Sequence, residues 1–341
     1  MSTGGGERPV RVLVADDSDL FRDVLARVIT VDPGFEVVAS AADGNEAARL
    51  ARALKPDVIT MDINMPDADG FSGIARIMAE TPTPILVLTV NPEETVGFRA
   101  LSLGALDILE KPRAEADLDE YGATLRSRLR LLAGVRVIRH LRGLRAERPA
   151  TARAGAHSDV VVVGASLGGP RALASLLRAL PADFAAPVLV VQHIAEGFTE
   201  GLANWLDQES RLEVRTARDG DLLRPGLVLL APTGHHLVVG RGHARLSDAP
   251  AVDSFKPSVT PLFLSAAEAY GARACGVILT GMGRDGAEGL RAVKRAGGHT
   301  IVQDEATSAV FGMPRAAIET GSVDRVLPLD EIARALQELV G

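Results

Sequence analysis

A chain of 341 residues, 47% of them hydrophobic, is long enough for two packed cores. Its formal net charge of −7 argues against a general affinity for nucleic acid, and no apolar run reaches the roughly 18 residues of a spanning helix, so no direct membrane insertion is expected. The opening "MSTGGGERPV" has no apolar segment of signal-peptide length, and the single cysteine, Cys275, cannot form an internal disulfide, so the expected location is cytoplasmic.

From Val10 to about Leu132, short β-branched runs alternate with helical periodicity: "VRVLVAD", "FEVVAS", "DVITMD", "PILVLTV" and "ALDILEK" are each followed by a helix. Five strands alternating with five helices predict an α/β domain over residues 8–133, with a parallel sheet covered on both faces. Asp16 and Asp17 end the first strand, Asp62 the third and Thr89 the fourth, while Lys111 follows the fifth. Ligand sites of open parallel sheets lie beyond the carboxyl ends of the strands, so these residues are expected in one pocket. Clustered carboxylates repel unless a cation sits among them, and oxygen ligands suit a hard ion such as Mg²⁺. At these residues, with "DINMPDADG" and the closing "KP", the domain resembles the response-regulator receiver family, which has a flavodoxin-like (βα)5 fold. The resemblance implies phosphoryl transfer from a chemotaxis histidine kinase to Asp62. It also implies Mg²⁺ held by Asp16 or Asp17, by Asp62 and by the Asn64 carbonyl, with Thr89 and Lys111 on the phosphoryl oxygens. Ile108 stands where the family usually has an aromatic switch residue.

Residues 134–157 carry Arg136, Arg139, Arg142, Arg145 and Arg148 at every third position and then turn rich in Ala, Gly and Pro, the composition of an interdomain linker. A second α/β domain is expected over 158–341, doubly wound and mostly parallel. Strand candidates are "VVVVGAS", "APVLVVQHI", "LEVRTA", "LVLLAP", "HHLVVG", "CGVILTG" and "HTIVQD", with helices at about 170–180, 199–208, 259–271, 285–296 and 330–340. Strands without helices between 211 and 248 predict that part of this sheet is antiparallel. Cys275, inside "ACGVILTG", reads as a buried small hydrophobe.

The turn "GASLG", residues 164–168, fits both G-x-S-x-G and a loose dinucleotide-binding turn. Ser166 occupies the place of the second glycine of the dinucleotide pattern, and the next strand ends in Gln192 and His193 rather than in an acid for a ribose. A serine at a strand-to-helix bend has an exposed hydroxyl at the positive end of a helix dipole. His193 and Asp285, from the ends of two further strands, complete a Ser, His, Asp set. Its order along the chain differs from the Ser, Asp, His order of α/β-hydrolases.

"VGASLGGP", "QHI" followed by "FT", "LAPTGHH", "KPSVTPLF", "ILTGMGRDGAEGL" and "QDEATSAVFGMPRAAIETG" together resemble the CheB methylesterases of bacterial chemotaxis, over almost the whole chain. The resemblance implies a phosphorylation-activated serine esterase that demethylates glutamyl methyl esters on methyl-accepting chemoreceptors and deamidates glutamines there. Ser166 is then the nucleophile, His193 the base, Asp285 its orienting acid and the Met282 N–H an oxyanion donor, with no cofactor in the esterase site. Leu167, Trp205, Phe255 and Thr260 stand where the family mostly has Thr, Arg, His and Asp, which predicts a less polar pocket. An alternative is a catalytically degenerate, phosphorylation-dependent binding module; a dinucleotide enzyme ranks behind it. The remaining histidines, His140, His157, His235, His236, His243 and His299, have no metal-ligand spacing.

Overall fold

The computed structural model describes residues 8–65, 70–90, 95–112, 118–135 and 158–340. The chain divides into two compact units, residues 1–144 and 145–341. Apart from Gly134 and Val135, the stretch read as a linker, with its five arginines, lies outside the described residues.

In the first unit the elements alternate: β1 (Val10–Ala15), α1 (Asp19–Thr30), β2 (Phe35–Ala41), α2 (Gly44–Leu54), β3 (Val58–Asp62), α3 (Gly70–Glu80), β4 (Ile85–Thr89), α4 (Thr95–Ser102), β5 (Asp107–Glu110) and α5 (Leu118–Ala133). The sheet runs β2-β1-β3-β4-β5 and every pairing in it is parallel. β3 and β4 are buried throughout, which is why "VITMD" and "ILVLT" read as continuous apolar runs rather than alternating ones. Local signals fix where helices begin. Ser18 accepts the Phe21 N–H, and Asp43 accepts the Glu46 N–H while Glu46 reaches back to the Ala42 N–H.

The second unit contains β6 (Val160–Ala165), α6 (Gly169–Ala179), β7 (Val188–Gln192), α7 (Thr199–Glu209), β8 (Glu213–Thr216), β9 (Leu227–Leu230), β10 (His236–Gly240) and β11 (His243–Ser247). These are followed by α8 (Val259–Tyr270), β12 (Ala274–Ile278), α9 (Ala287–Arg295), β13 (His299–Gln303), α10 (Met313–Glu319), β14 (Arg325–Leu327) and α11 (Leu329–Val340). Its main sheet has seven strands in the order β14-β13-β12-β6-β7-β9-β8, all pairings parallel. The antiparallel part exists but stands apart from the main sheet: β10 and β11 form their own hairpin. β8 and β9 pair in parallel although no helix joins them. The hairpin turns its inward-facing Leu237, Val239 and Ala244 into the same core as Val259, Leu262 and Phe263 of α8, and Ser265 of α8 accepts the Val239 N–H at 2.9 Å.

The first strand of this unit, β6, lies mid-sheet, with β7 on one side and β12 on the other. The strand order reverses there, so the carboxyl end of β6 opens onto the topological switch point. Cys275 is fully buried in β12, and burial pushes its thiol up to about 12, consistent with an inert apolar side chain.

Candidate active site

Two groups of chemically capable side chains gather at strand carboxyl ends, one in each unit. In the first, Asp16 is buried just after β1 and Asp62 is buried at the end of β3, while Asp17 is exposed. Carboxylate oxygens of these three lie within 4.8 Å of one another, a hard-oxygen donor set that fits a divalent cation such as Mg²⁺. The Lys111 ammonium lies between two of them, 2.7 Å from Asp16 Oδ2 and 2.7 Å from Asp62 Oδ2, with the Phe21 ring 4.8 Å away. Burial raises the Asp16 carboxyl above its ordinary range, against the opposing pull of Lys111. Burial disfavours the charged form of Lys111, but its bonds to Asp16 and Asp62 outweigh that and hold its pKa above the usual lysine value. The Asn64 N–H donates to Asp62 Oδ1 at 3.1 Å, which brings the backbone named for its carbonyl over the pocket. Thr89 is buried at the end of β4, and its carbonyl accepts the Lys111 N–H at 2.7 Å. Ile108 is buried in β5, and a Cβ added to Gly97 of α4 would lie 3.5 Å from its Cδ1, an ordinary contact.

In the second unit β6 and β7 pair in register, Ala165 opposite Gln192, and the His193 N–H donates to the Ala165 carbonyl at 3.0 Å. Ser166 and His193 thus leave adjacent strands side by side. His193 Nε2 lies 2.8 Å from Asp285 Oδ2, with the histidine side chain only 7% exposed. His193 Nδ1 is buried and accepts no hydrogen bond among the described residues. His193 Nδ1 therefore takes no hydrogen bond from Ser166 Oγ, although the backbones that carry the two residues are adjacent.

Asp285 takes donors from all sides. Besides His193, its oxygens accept the Val259 N–H (2.7 Å), the Ser258 hydroxyl (2.8 Å), the Thr260 N–H (3.1 Å) and the Thr260 hydroxyl (2.8 Å). Burial alone would raise its pKa, but these bonds, led by that from His193, bring it down to about 2. A fixed anion on Nε2 selects the Nε2–H tautomer and leaves the Nδ1 lone pair free. The segment supplying the donors is itself braced by His236, which is 1% exposed: its Nδ1 accepts the Ser258 N–H at 3.1 Å and its Nε2 meets the Pro250 carbonyl at 3.0 Å.

Side-chain amides and one hydroxyl fix the serine turn. Gln192 Nε2 donates to the carbonyls of Ser166 (2.8 Å) and His193 (2.9 Å). Thr280 donates its hydroxyl to the Leu167 carbonyl at 2.9 Å, its N–H to Gln303 Oε1 at 2.8 Å, and its carbonyl accepts the Ser166 N–H at 3.0 Å. Gly281 must be glycine for Ser166 to sit here, since a Cβ there would lie 2.8 Å from Ser166 Cβ and 2.4 Å from Met313 Sδ. The next residue, Met282, has an exposed side chain, and its N–H makes no hydrogen bond among the described residues.

The four unusual positions separate by location. Phe255 stacks on the His193 imidazole, ring centroids 4.0 Å apart and planes within 3°. Thr260 is part of the Asp285 cradle and also accepts the Gly286 N–H at 3.0 Å, so the hydroxyl keeps this corner polar. Trp205, 4% exposed, is buried on α7, and Leu167 is 8% exposed under the serine turn. Sequence reasoning missed the roles of Ser258, Thr260, His236 and Gln192. The one available signal was Ser258 before an apolar helical run, an N-cap pattern, and the cap points its hydroxyl at Asp285 as well as at the helix. A cavity of about 550 Å³ lined by Ser158, Pro187, Arg224, Arg241 and Tyr270 opens at the opposite ends of the strands and holds none of these groups.

Residues 161–336 match the CheB methylesterase family and residues 12–121 the response regulator receiver domain family. A protein-glutamate methylesterase/protein-glutamine glutaminase of Anaeromyxobacter dehalogenans is 74% identical over 339 residues, 99% of both chains. A protein of the same description from Myxococcus xanthus is 46% identical, covering 95% of this chain and 92% of its own. The crystal structure of the Thermotoga maritima CheB methylesterase catalytic domain aligns with 54% of this chain and 99% of its own, at 43% identity and a TM-score of 0.52. The chain belongs to the CheB methylesterase family and carries the receiver domain and the methylesterase domain in one polypeptide.

Proposed function

We propose that this protein is a phosphorylation-activated protein-glutamate methylesterase, with protein-glutamine glutaminase activity, acting on cytoplasmic helices of methyl-accepting chemoreceptors. The observation that carries the chemistry is the His193–Asp285 hydrogen bond at Nε2, which leaves a buried, unbonded Nδ1 beside the serine turn. Ser166 attacks the ester carbonyl as His193 Nδ1 accepts its proton. Asp285, ionised throughout, balances the imidazolium. The Met282 N–H and the amino end of α6 stabilise the developing oxyanion. The imidazolium then returns its proton to the leaving methoxide, releasing methanol, and water repeats the sequence on the acyl-enzyme to give a glutamate carboxylate. With a glutamine side chain the leaving group is ammonia.

Asp62 is the phosphoryl acceptor, supplied by a chemotaxis histidine kinase. Mg²⁺, when bound, neutralises charge on the phosphoryl oxygens and would be held by Asp16 or Asp17, Asp62 and the Asn64 carbonyl. Lys111 and Thr89 bond the remaining oxygens. Phosphorylation shifts the population of esterase-competent protein, so the gain in rate follows from how rarely that state is populated beforehand. The work is cytoplasmic, and among the described residues no helix is long and apolar enough to cross a membrane.

The test is methanol release from methylated receptor cytoplasmic fragments, with and without a small phosphodonor. Release should rise with the phosphodonor, vanish in Ser166→Ala and lose only its stimulation in Asp62→Ala. No release from several receptor types would sink the assignment.

A further inference from the structure

Phe255 has no part in the triad, yet the segment around it is built to hold one ring in one place. Val252 and Phe255 exchange N–H···O bonds of 3.1 and 2.8 Å, which closes a two-residue turn. Asp253 and Ser254 between them have φ of 48° and 69°, the left-handed region that side chains other than glycine resist. Both ends of the segment are tied to one buried group: the Pro250 carbonyl to His236 Nε2 and the Ser258 N–H to His236 Nδ1. What this arrangement presents is a phenyl ring lying flat on the His193 imidazole.

A phenyl face carries the negative end of a quadrupole, so it favours an imidazolium over a neutral imidazole. A covering ring also removes water, which disfavours charge. Here the charged form keeps an ionised partner, because Asp285 stays on Nε2, and the ring covers a face rather than either nitrogen. The other charged groups nearby in sequence face solvent: Glu196, Asp253 and Arg284 are exposed, and the Lys256 ammonium donates to the Asp248 carbonyl. The phenyl face and the Asp285 carboxylate therefore both favour the protonated ring, against the loss of water at one face.

We propose that Phe255 is a positioning residue for the general base: it fixes the plane of His193 and stabilises the imidazolium that forms when Ser166 gives up its proton. This rests on the triad reading given above. The stabilisation is larger in the transition state than in the resting enzyme, so it raises kcat and leaves KM alone.

The experiment compares Phe255→Leu, Phe255→Tyr and Phe255→Trp with the full-length wild type and Ser166→Ala. Methanol release is measured across pH under a saturating phosphodonor, together with an NMR titration of the His193 ring nitrogens. Phe255→Leu keeps apolar bulk but loses the π face. It should lower kcat by about 3- to 10-fold with KM within about twofold, and move the acid limb of kcat/KM and the His193 pKa down by about 0.5 to 1 unit. Phe255→Tyr and Phe255→Trp keep a face and should stay within about twofold of wild type. An unmoved or raised His193 pKa in Phe255→Leu overturns the proposal, as does a loss in Phe255→Tyr and Phe255→Trp equal to that in Phe255→Leu. An inactive wild type, or a Ser166→Ala variant that still releases methanol, would instead overturn the triad reading, and the NMR titration would still report on the ring.

Discussion

At the scale of single residues, the molecule depends on one carboxylate. Asp285 accepts five hydrogen bonds, two of them from Thr260 and one from the hydroxyl that also caps α8. An aspartate at 260, the residue more usual in this family, would set a second negative charge against it. A threonine supplies the same reach without the charge. Because the folded pKa of Asp285 is depressed to about 2, its stabilisation is complete above the ordinary carboxylate range and drains away as pH falls through 2. The size is about 2 kcal/mol for a group this deeply buried. Urea unfolding followed by the fluorescence of Trp205, the one tryptophan in the sequence, should show that loss between pH 5 and pH 2. Asp285→Asn should flatten the profile, and an equally steep profile in that variant would assign the loss to other groups.

At the scale of elements, the strand-to-helix turn after β6 is held by what its neighbours leave out. A Cβ on Gly169 would lie 1.9 Å from Gln192 Oε1, so Gly169→Ala must push the amide away from the two carbonyls it clamps. That change should cost about 1–3 kcal/mol of stability and lower kcat more than KM. Adding Gln192→Ala should recover part of the stability but not the turnover; full recovery of both would mean that the clamp is dispensable. The elements themselves were largely legible in the sequence. Buried parallel strands such as β3, β4 and β6 announce themselves as short β-branched runs, and helices with caps such as Ser18 and Asp43 announce their starts. α10, of seven residues, and β14, of three, were not legible, because neither is long enough to show a period. Which of the strands between 211 and 248 pair antiparallel was not legible for a different reason: without a helix between β8 and β9, nothing local distinguishes their parallel return from a hairpin.

At the scale of the whole molecule, two units with separate cores predict two unfolding steps. In the first unit three carboxylates lie within 4.8 Å of one another and a single ammonium, Lys111, bonds two of them; Asp62→Asn removes one of the three negative charges. In calorimetry without divalent ions the receiver transition should rise by roughly 4 °C, about 1 kcal/mol, while the transition seen by Trp205 stays put. A fall in the first transition, or a shift in both, would contradict this. Both clusters were legible because parallel sheets deliver strand ends to one edge, whereas the shell around Asp285 was not, since Ser258 and Thr260 reach it, and His236 braces Ser258, only through tertiary folding. The placement of β6 at mid-sheet also has a consequence for the chain as it is made. Ser166 is synthesised well before the strand on its far side, β12, and the loop that ties Gly281 to Val310, which come more than a hundred residues later. On the proposed role of Ser166, a chain that has not yet reached Val310 carries an unarmed serine, and hydrolysis cannot begin until those segments have emerged and folded.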